Sequence, residues 1–302
     1  MVPRVSIITI NFNNSSYTRA LLQSLLQCKY TNLEVIVVDN NSSKSDFEEL
    51  LKIESQFLLI PSPENLGFAG ANNLGINFAT GEFIFFINND TILEQDAITN
   101  MVKALAKNPG AGAISPIIRY LDSPYLIQFA GFSEMSPIIQ RMKAIAKNQA
   151  KYPYQCEPKQ IAYAHGCAMM VKREVIEVVG TMPEKYFLYY EELDWCTKIK
   201  KHEYSIWLQP NSVIYHKASA STGVESPLQV YFKNRNRILF LRRNYKGLTK
   251  LLAFVYLLTF SFPNNVLRQV FNKNIRGLTA YINAWLWHFS AFKNNYKKYV
   301  SI

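Results

Sequence analysis

The side chains best suited to chemistry stand in small polar clusters directly after short apolar runs. Asn88-Asn89-Asp90 follows the continuously apolar stretch FIFFI at Phe83–Ile87. A carboxylate on such a rigid strand end can hold a hard divalent ion through oxygen, leaving coordination sites for water and phosphate oxygens. Asp39 closes the run LEVIVV at Leu33–Val38, where it can accept hydrogen bonds from a nucleobase or ribose. Asn11 and Asn13 follow the β-branched run Val5–Ile10 in the same manner. One Asp or Asn after a strand is ordinary turn chemistry. Three such ends on one sheet edge point to a site.

A second cluster, Tyr189-Tyr190-Glu191-Glu192-Leu193-Asp194-Trp195, sets three carboxylates among aromatic residues. On a helix Glu191 and Asp194 share a face as an i,i+3 pair, and Glu192 points elsewhere. Crowding raises a carboxylate's pKa and suits it to proton transfer, whereas an acidic first turn also complements the helix dipole. His216 ends a short strand-like stretch, a place that suits a metal ligand or a structural histidine. The loop NLGFAGANN at Asn65–Asn73 puts Gly67 and Gly70 before a helix, so a ligand can approach the backbone near a helix N-terminus. It fits neither GxGxxG nor GxxxxGK[ST], which excludes a dehydrogenase and a P-loop NTPase.

Positioning these groups requires a sheet with helices on both faces. The three apolar runs read as inner strands of a parallel sheet. Between them a helix capped by Ser15 or Ser16 carries Leu21, Leu22, Leu25 and Leu26 on one face. Further helices are expected over Asp46–Ile53, Ala71–Ala79 and Glu94–Lys107, the last ended by Asn108-Pro109-Gly110. This β-α-β-α order predicts a doubly wound α/β fold, whose ligands sit at the carboxyl ends of the strands. Residues 121–160 have no clear period. Ile161–Val171 then reads as strand, Arg173–Val179 and Tyr190–His202 as helices, and Ser205–Leu208 and Ser212–Tyr215 as short strands. After Pro227 the chain reads helical, with breaks at Gly247 and Pro263.

The chain has 302 residues, 49% hydrophobic and 18% charged, enough to bury a sizeable core. Its net charge of +11 is uneven: thirteen Lys or Arg and no acid lie between Pro227 and Ile302. A near-neutral body with a basic, aromatic tail excludes an even positive coat for nucleic acid. A nucleic-acid-binding module confined to the tail is the alternative of another class. Cys28, Cys156, Cys167 and Cys196 show neither CxxC nor zinc-ligand spacing, which predicts reduced thiols in a cytosolic compartment. Val5–Ile10 is too short for a signal peptide. Leu251–Phe262 falls short of the roughly 20 apolar residues of a spanning helix and is expected to stop at Pro263. The aromatic and cationic segments Leu251–Phe262 and Leu278–Phe292 suit adsorption on an anionic inner leaflet, or packing on the domain or a second subunit.

Taken in order, these motifs resemble the family 2 glycosyltransferases of the GT-A fold. The resemblance lies with the branch that includes rhamnosyltransferases and other bacterial polysaccharide-assembling enzymes. It rests on VSIITINFNN from Val5, VVDNNS at Val37–Ser42, NLGFAGANN, and FFINND at Phe85–Asp90. It continues through HGCAMMVKREVIEVVG at His165–Gly180, the stretch Tyr186–His216, and YFKNRNRILFLRRN at Tyr231–Asn244.

The resemblance implies a GT-A catalytic domain over residues 1–226: a Rossmann-like, mostly parallel sheet flanked by helices. Its nucleotide-sugar half spans about 1–120 and its acceptor half 121–226. A helical extension over 227–302 associates with membrane or oligomerises. By the same resemblance Asp39 recognises the base, with Thr9 and Asn11 lining the pocket and Asn65, Gly67 and Asn73 on the donor side. Asn88-Asn89-Asp90 resembles the DxD-type motif, Asp90 binding Mn²⁺ or Mg²⁺ bridged to the donor diphosphate, with His216 completing the metal site. Glu192 stands where the family usually has its general-base aspartate, with Glu191 and Asp194 as alternatives beside it. His165, Gly166 and Trp195 fall on the acceptor side.

The sequence departs from the family pattern at Asn88, at Glu192 and at Pro183, which replaces the Asp of the GxFDExFF segment. An inactive pseudo-enzyme is therefore a further alternative. The implied activity is metal-dependent, inverting sugar transfer to a hydroxyl of a lipid-linked or growing bacterial glycan, at the cytoplasmic face of a membrane. The first expectation for the donor is dTDP-L-rhamnose. UDP-galactofuranose, UDP-glucose and UDP-N-acetylglucosamine come next.

Overall fold

The computed structural model describes residues 2–152, 157–217 and 226–289. Cys156 and the end of the Leu278–Phe292 segment lie outside the described residues. The chain divides into two compact units.

The first unit comprises residues 1–134, 143–187 and 191–218. In chain order it holds β1 (Val5–Asn11), α1 (Ser15–Leu26), β2 (Leu33–Asp39), α2 (Lys44–Leu51), β3 (Leu58–Pro61) and α3 (Gly67–Ile76). These are followed by β4 (Phe83–Ile87), β5 (Thr91–Leu93), α4 (Ala97–Lys107), β6 (Ala111–Tyr120) and β7 (Ile127–Phe129). The last part adds β8 (Lys159–Ile161), β9 (Ala168–Lys172), α5 (Arg173–Val179), α6 (Glu191–Lys201) and β10 (Ser205–His216). One sheet runs in the order β3-β2-β1-β4-β9-β6-β10-β5. Its first four strands are parallel, as expected from their two-sided apolar runs. β9 then runs antiparallel between β4 and β6.

β4 is buried along its whole length, so Asn88-Asn89-Asp90 leaves a strand fixed on both faces. The register pairs Asn11 with Asp39, which brings the first two polar strand ends side by side. Gly75 lets α3 lie close to the sheet: a Cβ there would meet Ile8 Cγ2 at 2.6 Å and Val38 Cγ2 at 3.3 Å.

Several boundaries differ from the sequence expectations. α1 is preceded by Asn14, not capped by Ser15 or Ser16, and its terminal Leu26 is exposed while Leu21, Leu22 and Leu25 are buried. α3 begins at Gly67, so the Gly-rich loop forms the first turns of the helix instead of preceding it. The expected strand over Ile161–Val171 is two strands separated by the loop around His165. Conversely, Ser205–His216 is one strand, because a bulge between Gln209 and Val213 absorbs Pro210 without ending the ladder.

The second unit comprises Met135–Met142, Leu188–Tyr190 and residues 219–302. Its helices are α7 (Pro227–Asn244), α8 (Gly247–Tyr256), α9 (Phe262–Phe271) and α10 (Ile275–Leu286). Ser226 caps α7 by accepting from Gln229 N at 3.2 Å, with Pro227 in the first turn where no N–H is needed. Asn274 caps α10 through Gly277 N at 2.8 Å. Ile238, Leu241, Ala253 and Leu257 form an apolar core, with Tyr245, Tyr256 and Trp285 packed against it. The Asn236 amide donates to both Leu188 O and Tyr189 O at 2.7 Å, which ties that short segment to α7.

Pro263 does not stop the helix. α8 widens into a π turn over Leu257–Ser261, and Phe262 N bonds Leu257 O five residues back. The wider turn accommodates the proline, so a single 25-residue helical run extends over Gly247–Phe271. By length and composition this run is apolar enough to cross a membrane, which corrects the expectation that no such segment exists.

Candidate active site

Asp39 is held rigidly at the carboxyl edge of the sheet. Its Oδ1 accepts from Asn11 Nδ2 at 3.0 Å and its Oδ2 from the Ser42 backbone N–H at 3.2 Å. The Asn11 amide also reaches Asp46 Oδ2 at 2.8 Å, and its oxygen accepts from Thr18 Oγ1 at 2.8 Å. Thr18 Oγ1 accepts in turn from Asn89 Nδ2 at 3.0 Å. A continuous polar chain therefore runs from Asp39 through Asn11 and Thr18 to Asn89. Asn11 and Thr9 have no exposed surface, so neither lines an open pocket; Asn11 braces the strand end, whereas the Thr9 hydroxyl is buried without a hydrogen bond.

Asp90 and His216, 126 positions apart in sequence, face each other with Oδ1 and Nε2 3.2 Å apart. Pairing of β10 with β5 sets them there, His216 opposite Thr91. His216 Nδ1 bonds Gln128 Oε1 at 2.9 Å, which fixes that nitrogen as the donor and leaves Nε2 towards the carboxylate. Burial alone would favour a neutral His216, but Cys167 and Asp90 beside it outweigh that and push its pKa up to about 10. Cys167 O also accepts from Asn88 N at 2.9 Å, tying the β9 side of the site to the Asn-Asn-Asp turn. Burial raises the Cys167 thiol. His165 stays neutral: burial beside Phe129 and Phe132, helped by His216, pushes its pKa down to about 3. Its Nδ1 accepts from Cys167 N at 3.1 Å.

The acidic cluster opens α6. Glu191 and Asp194 are both buried, on the shared face expected from their spacing, while Glu192 is only half-buried. A Cβ on Gly166 would lie 3.6 Å from both Glu192 Cγ and Phe68 Cε1. Glu192 therefore lies beside the His165-Gly166 turn, next in sequence to Cys167. Trp195 does not serve the acceptor side: its indole is fully buried, donates to Gly180 O at 2.8 Å and meets Phe86 edge-on at 5.6 Å.

The Asn65–Asn73 stretch acts as a bracket. Asn65 Oδ1 accepts from Asn40 Nδ2 and Gly67 N, each at 2.9 Å. Asn73 grips the segment leading to α6, donating to Met182 O at 2.9 Å and Glu184 Oε1 at 2.8 Å and accepting from Met182 N at 3.1 Å. Gly67 has φ +70°, and a Cβ there would stand 2.3 Å from Phe187 O. Phe68 N closes the same contact at 2.7 Å to that oxygen. Both polar atoms of the Asn73 side chain, and Asn65 Oδ1, are spent on positioning.

A divalent ion fits Asp90 and His216. Asp90 Oδ1 is buried, and because Gln128 holds Nδ1 as the donor, an ion that displaced the Nε2 proton would meet that nitrogen's lone pair and the carboxylate oxygen at the same point. One carboxylate oxygen and one imidazole suit Mn²⁺, with remaining positions left to phosphate and water. Among the described residues no group of three His, Cys, Asp or Glu is arranged to hold a metal, so the protein alone does not close the shell. Asn40, Gln128 and Cys167 were not singled out by sequence. Asn40 and Cys167 lie inside recognised motifs, whereas Gln128 sits in a stretch without a period.

The model of Glycosyl transferase family 2 matches residues 6–180. An uncharacterized protein of Sinorhizobium fredii is 26% identical over 81% of this chain, which spans 28% of that relative's length. The dTDP-rhamnosyl transferase RfbF of Shigella flexneri is 24% identical, covering 73% of this chain and 75% of its own. An N-acetylglucosaminyl-diphospho-decaprenol L-rhamnosyltransferase of Mycobacterium tuberculosis is 22% identical over 82% and 87%. Among solved structures, a mannosyltransferase from Pyrobaculum calidifontis in complex with GDP-Man and Mn²⁺ aligns with TM-score 0.58 at 20% identity, covering 98% and 84%. GalNAc-T7 with UDP, GalNAc and Mn²⁺ aligns with TM-score 0.63 at 12% identity, covering 87% and 57%. These likenesses show the GT-A fold.

Proposed function

The chain belongs to glycosyl transferase family 2, and from that premise we propose that it is a metal-dependent, inverting glycosyltransferase. Its donor is a nucleoside-diphosphate sugar, dTDP-L-rhamnose before the UDP-sugars, and its acceptor a hydroxyl of a lipid-linked or growing glycan. The rhamnosyltransferase relatives support that donor and acceptor. The Asp90–His216 pair at the sheet edge, tied through Cys167 to the turn beside Glu192, carries the reading.

Asp39 is the proposed acceptor for the base, pre-set by Asn11 and Ser42 so that binding costs little reorganisation. Asp90 and His216 would hold Mn²⁺ or Mg²⁺, which offsets charge on the departing diphosphate when bound. Glu192 takes the proton of the acceptor hydroxyl as its oxygen attacks the anomeric carbon from the face opposite the diphosphate. The anomeric C–O bond breaks, its electron pair leaves with the nucleoside diphosphate, and the configuration inverts. The free thiols of Cys28, Cys167 and Cys196 fit a cytoplasmic setting.

The test is transfer from dTDP-L-rhamnose to a polyprenyl-diphosphate-linked N-acetylglucosamine with Mn²⁺ present, in parallel with the UDP-sugars. The expected result is nucleoside diphosphate release coupled to glycosylated lipid, absent in Glu192→Gln. If no donor in the panel yields product with the wild type, or Glu192→Gln retains full activity, the proposal fails.

A further inference from the structure

The helical run from Gly247 to Phe271 leaves one apolar face uncovered. Its inner side packs Ala253 and Leu257 against Ile238 and Leu241. The opposite side carries Leu248, Leu251, Leu252, Val255 and Leu258, at 69, 59, 43, 46 and 51% exposure. Beyond the π turn Leu267, Val270 and Phe271 continue the exposed apolar surface. A helix on the surface of a water-soluble domain normally sets polar residues opposite its buried stripe. Between Leu248 and Phe260 only Thr249, Lys250, Tyr256 and Thr259 are polar, so this helix is apolar on both sides.

Charge identifies what covers the outer side. Lys246 and Lys250 stand at one end of the run, and Arg268, Lys273 and Arg276 at the other, with no acid anywhere from Pro227 to Ile302. A second copy of this chain would bring the same cations to the same face, and a self-complementary interface needs opposite charges. An anionic lipid surface supplies them. We propose that Gly247–Phe271 lies in the plane of a bilayer interface, its outer apolar face among the acyl chains and its flanking cations on anionic headgroups. The packed inner side distinguishes this seat from a crossing, because Ala253 and Leu257 stay in the protein core. The seat is independent of the donor and would hold the active unit at a surface where a lipid-linked acceptor resides.

The full chain should be floated with vesicles of phosphatidylcholine alone and of phosphatidylcholine with phosphatidylglycerol. Wild type is expected to rise with the anionic vesicles and to bind the zwitterionic ones at least about tenfold more weakly. A triple variant, Leu251→Glu, Val255→Glu and Leu258→Glu, is expected to lose at least about tenfold in binding with melting temperature and sedimentation coefficient unchanged. A second variant, Lys246→Gln, Arg268→Gln and Lys273→Gln, leaves the apolar face intact and should lose the preference for anionic vesicles. The idea is overturned if wild type binds neither vesicle, or if the triple variant floats as well as wild type. Conversion of a wild-type dimer to a monomer by the triple variant, without vesicle binding, would assign the face to a second copy instead. Resistance to extraction at high pH would replace the in-plane seat with a crossing.

Discussion

Glu192 and its neighbours show how burial separates residues that composition treats alike. Glu191 and Asp194 turn inward while Glu192, one position on, lies half-exposed beside Gly166. Glu192→Gln should lower kcat by about 10²–10⁴-fold, the usual contribution of a positioned base, with donor KM unchanged. A similar loss in donor affinity would place Glu192 in donor binding instead. Trp195→Phe shrinks the buried indole to a phenyl ring and removes the N–H to Gly180 O, so it should cost about 2–4 kcal/mol in stability and leave acceptor KM alone. His288 gives a pH test away from the site. Its Nδ1 accepts from Arg242 at 3.2 Å and its Nε2–H donates to Arg235 O at 3.1 Å, the neutral ring. Burial, with the guanidinium groups of Arg242 and Arg235, pushes its pKa down to about 4, against about 6.5 for a free imidazole. The unfolded chain therefore binds more protons between those values, and stability falls as pH drops from about 6.5 to 4. His288→Gln should flatten that fall in melting temperature relative to wild type; an unchanged slope would contradict a neutral, half-buried His288.

At the level of elements, the inner strands were legible because their runs are apolar on both faces, the pattern a covered parallel sheet requires. Pro210 and Pro263 misled in opposite places for one reason. A proline removes one backbone donor, and the chain can absorb that loss with a bulge against a strand remote in sequence or with a π turn closed five residues back, neither of which the proline itself announces. The Asn65–Asn73 stretch reads as a ligand loop because Gly and Asn suit both ligand approach and tight structure. In the folded chain Asn73 spends its amide on Met182 and Glu184. Asn73→Ala leaves the buried backbone of Met182 without those partners, a loss of about 1–3 kcal/mol that denaturant unfolding can measure. It should also lower kcat more than it raises donor KM, because it loosens the segment before α6. An Asn73→Ala enzyme of wild-type stability would remove the bracket from the account.

Across the whole molecule, what could be read in advance was order and charge: polar strand ends in sequence, then an acid-free helical tail. What could not be read was pairing at long range. Gln128 sets the tautomer of His216 from 88 residues away, and nothing in its irregular neighbourhood marks it. For Leu251–Phe262 the composition left membrane adsorption and packing both open, because only burial distinguishes a core helix from an uncovered one. The central claim is that Asp90 and His216 make one ion-dependent donor site with Asp39. Calorimetric titration of dTDP and UDP, with and without Mn²⁺, into wild type, Asp90→Ala and His216→Ala tests it most directly. Nucleoside diphosphate is expected to bind at least about tenfold tighter with Mn²⁺, and both variants to lose that gain. Binding that ignores the ion, or an ion effect that survives in either variant, would contradict it.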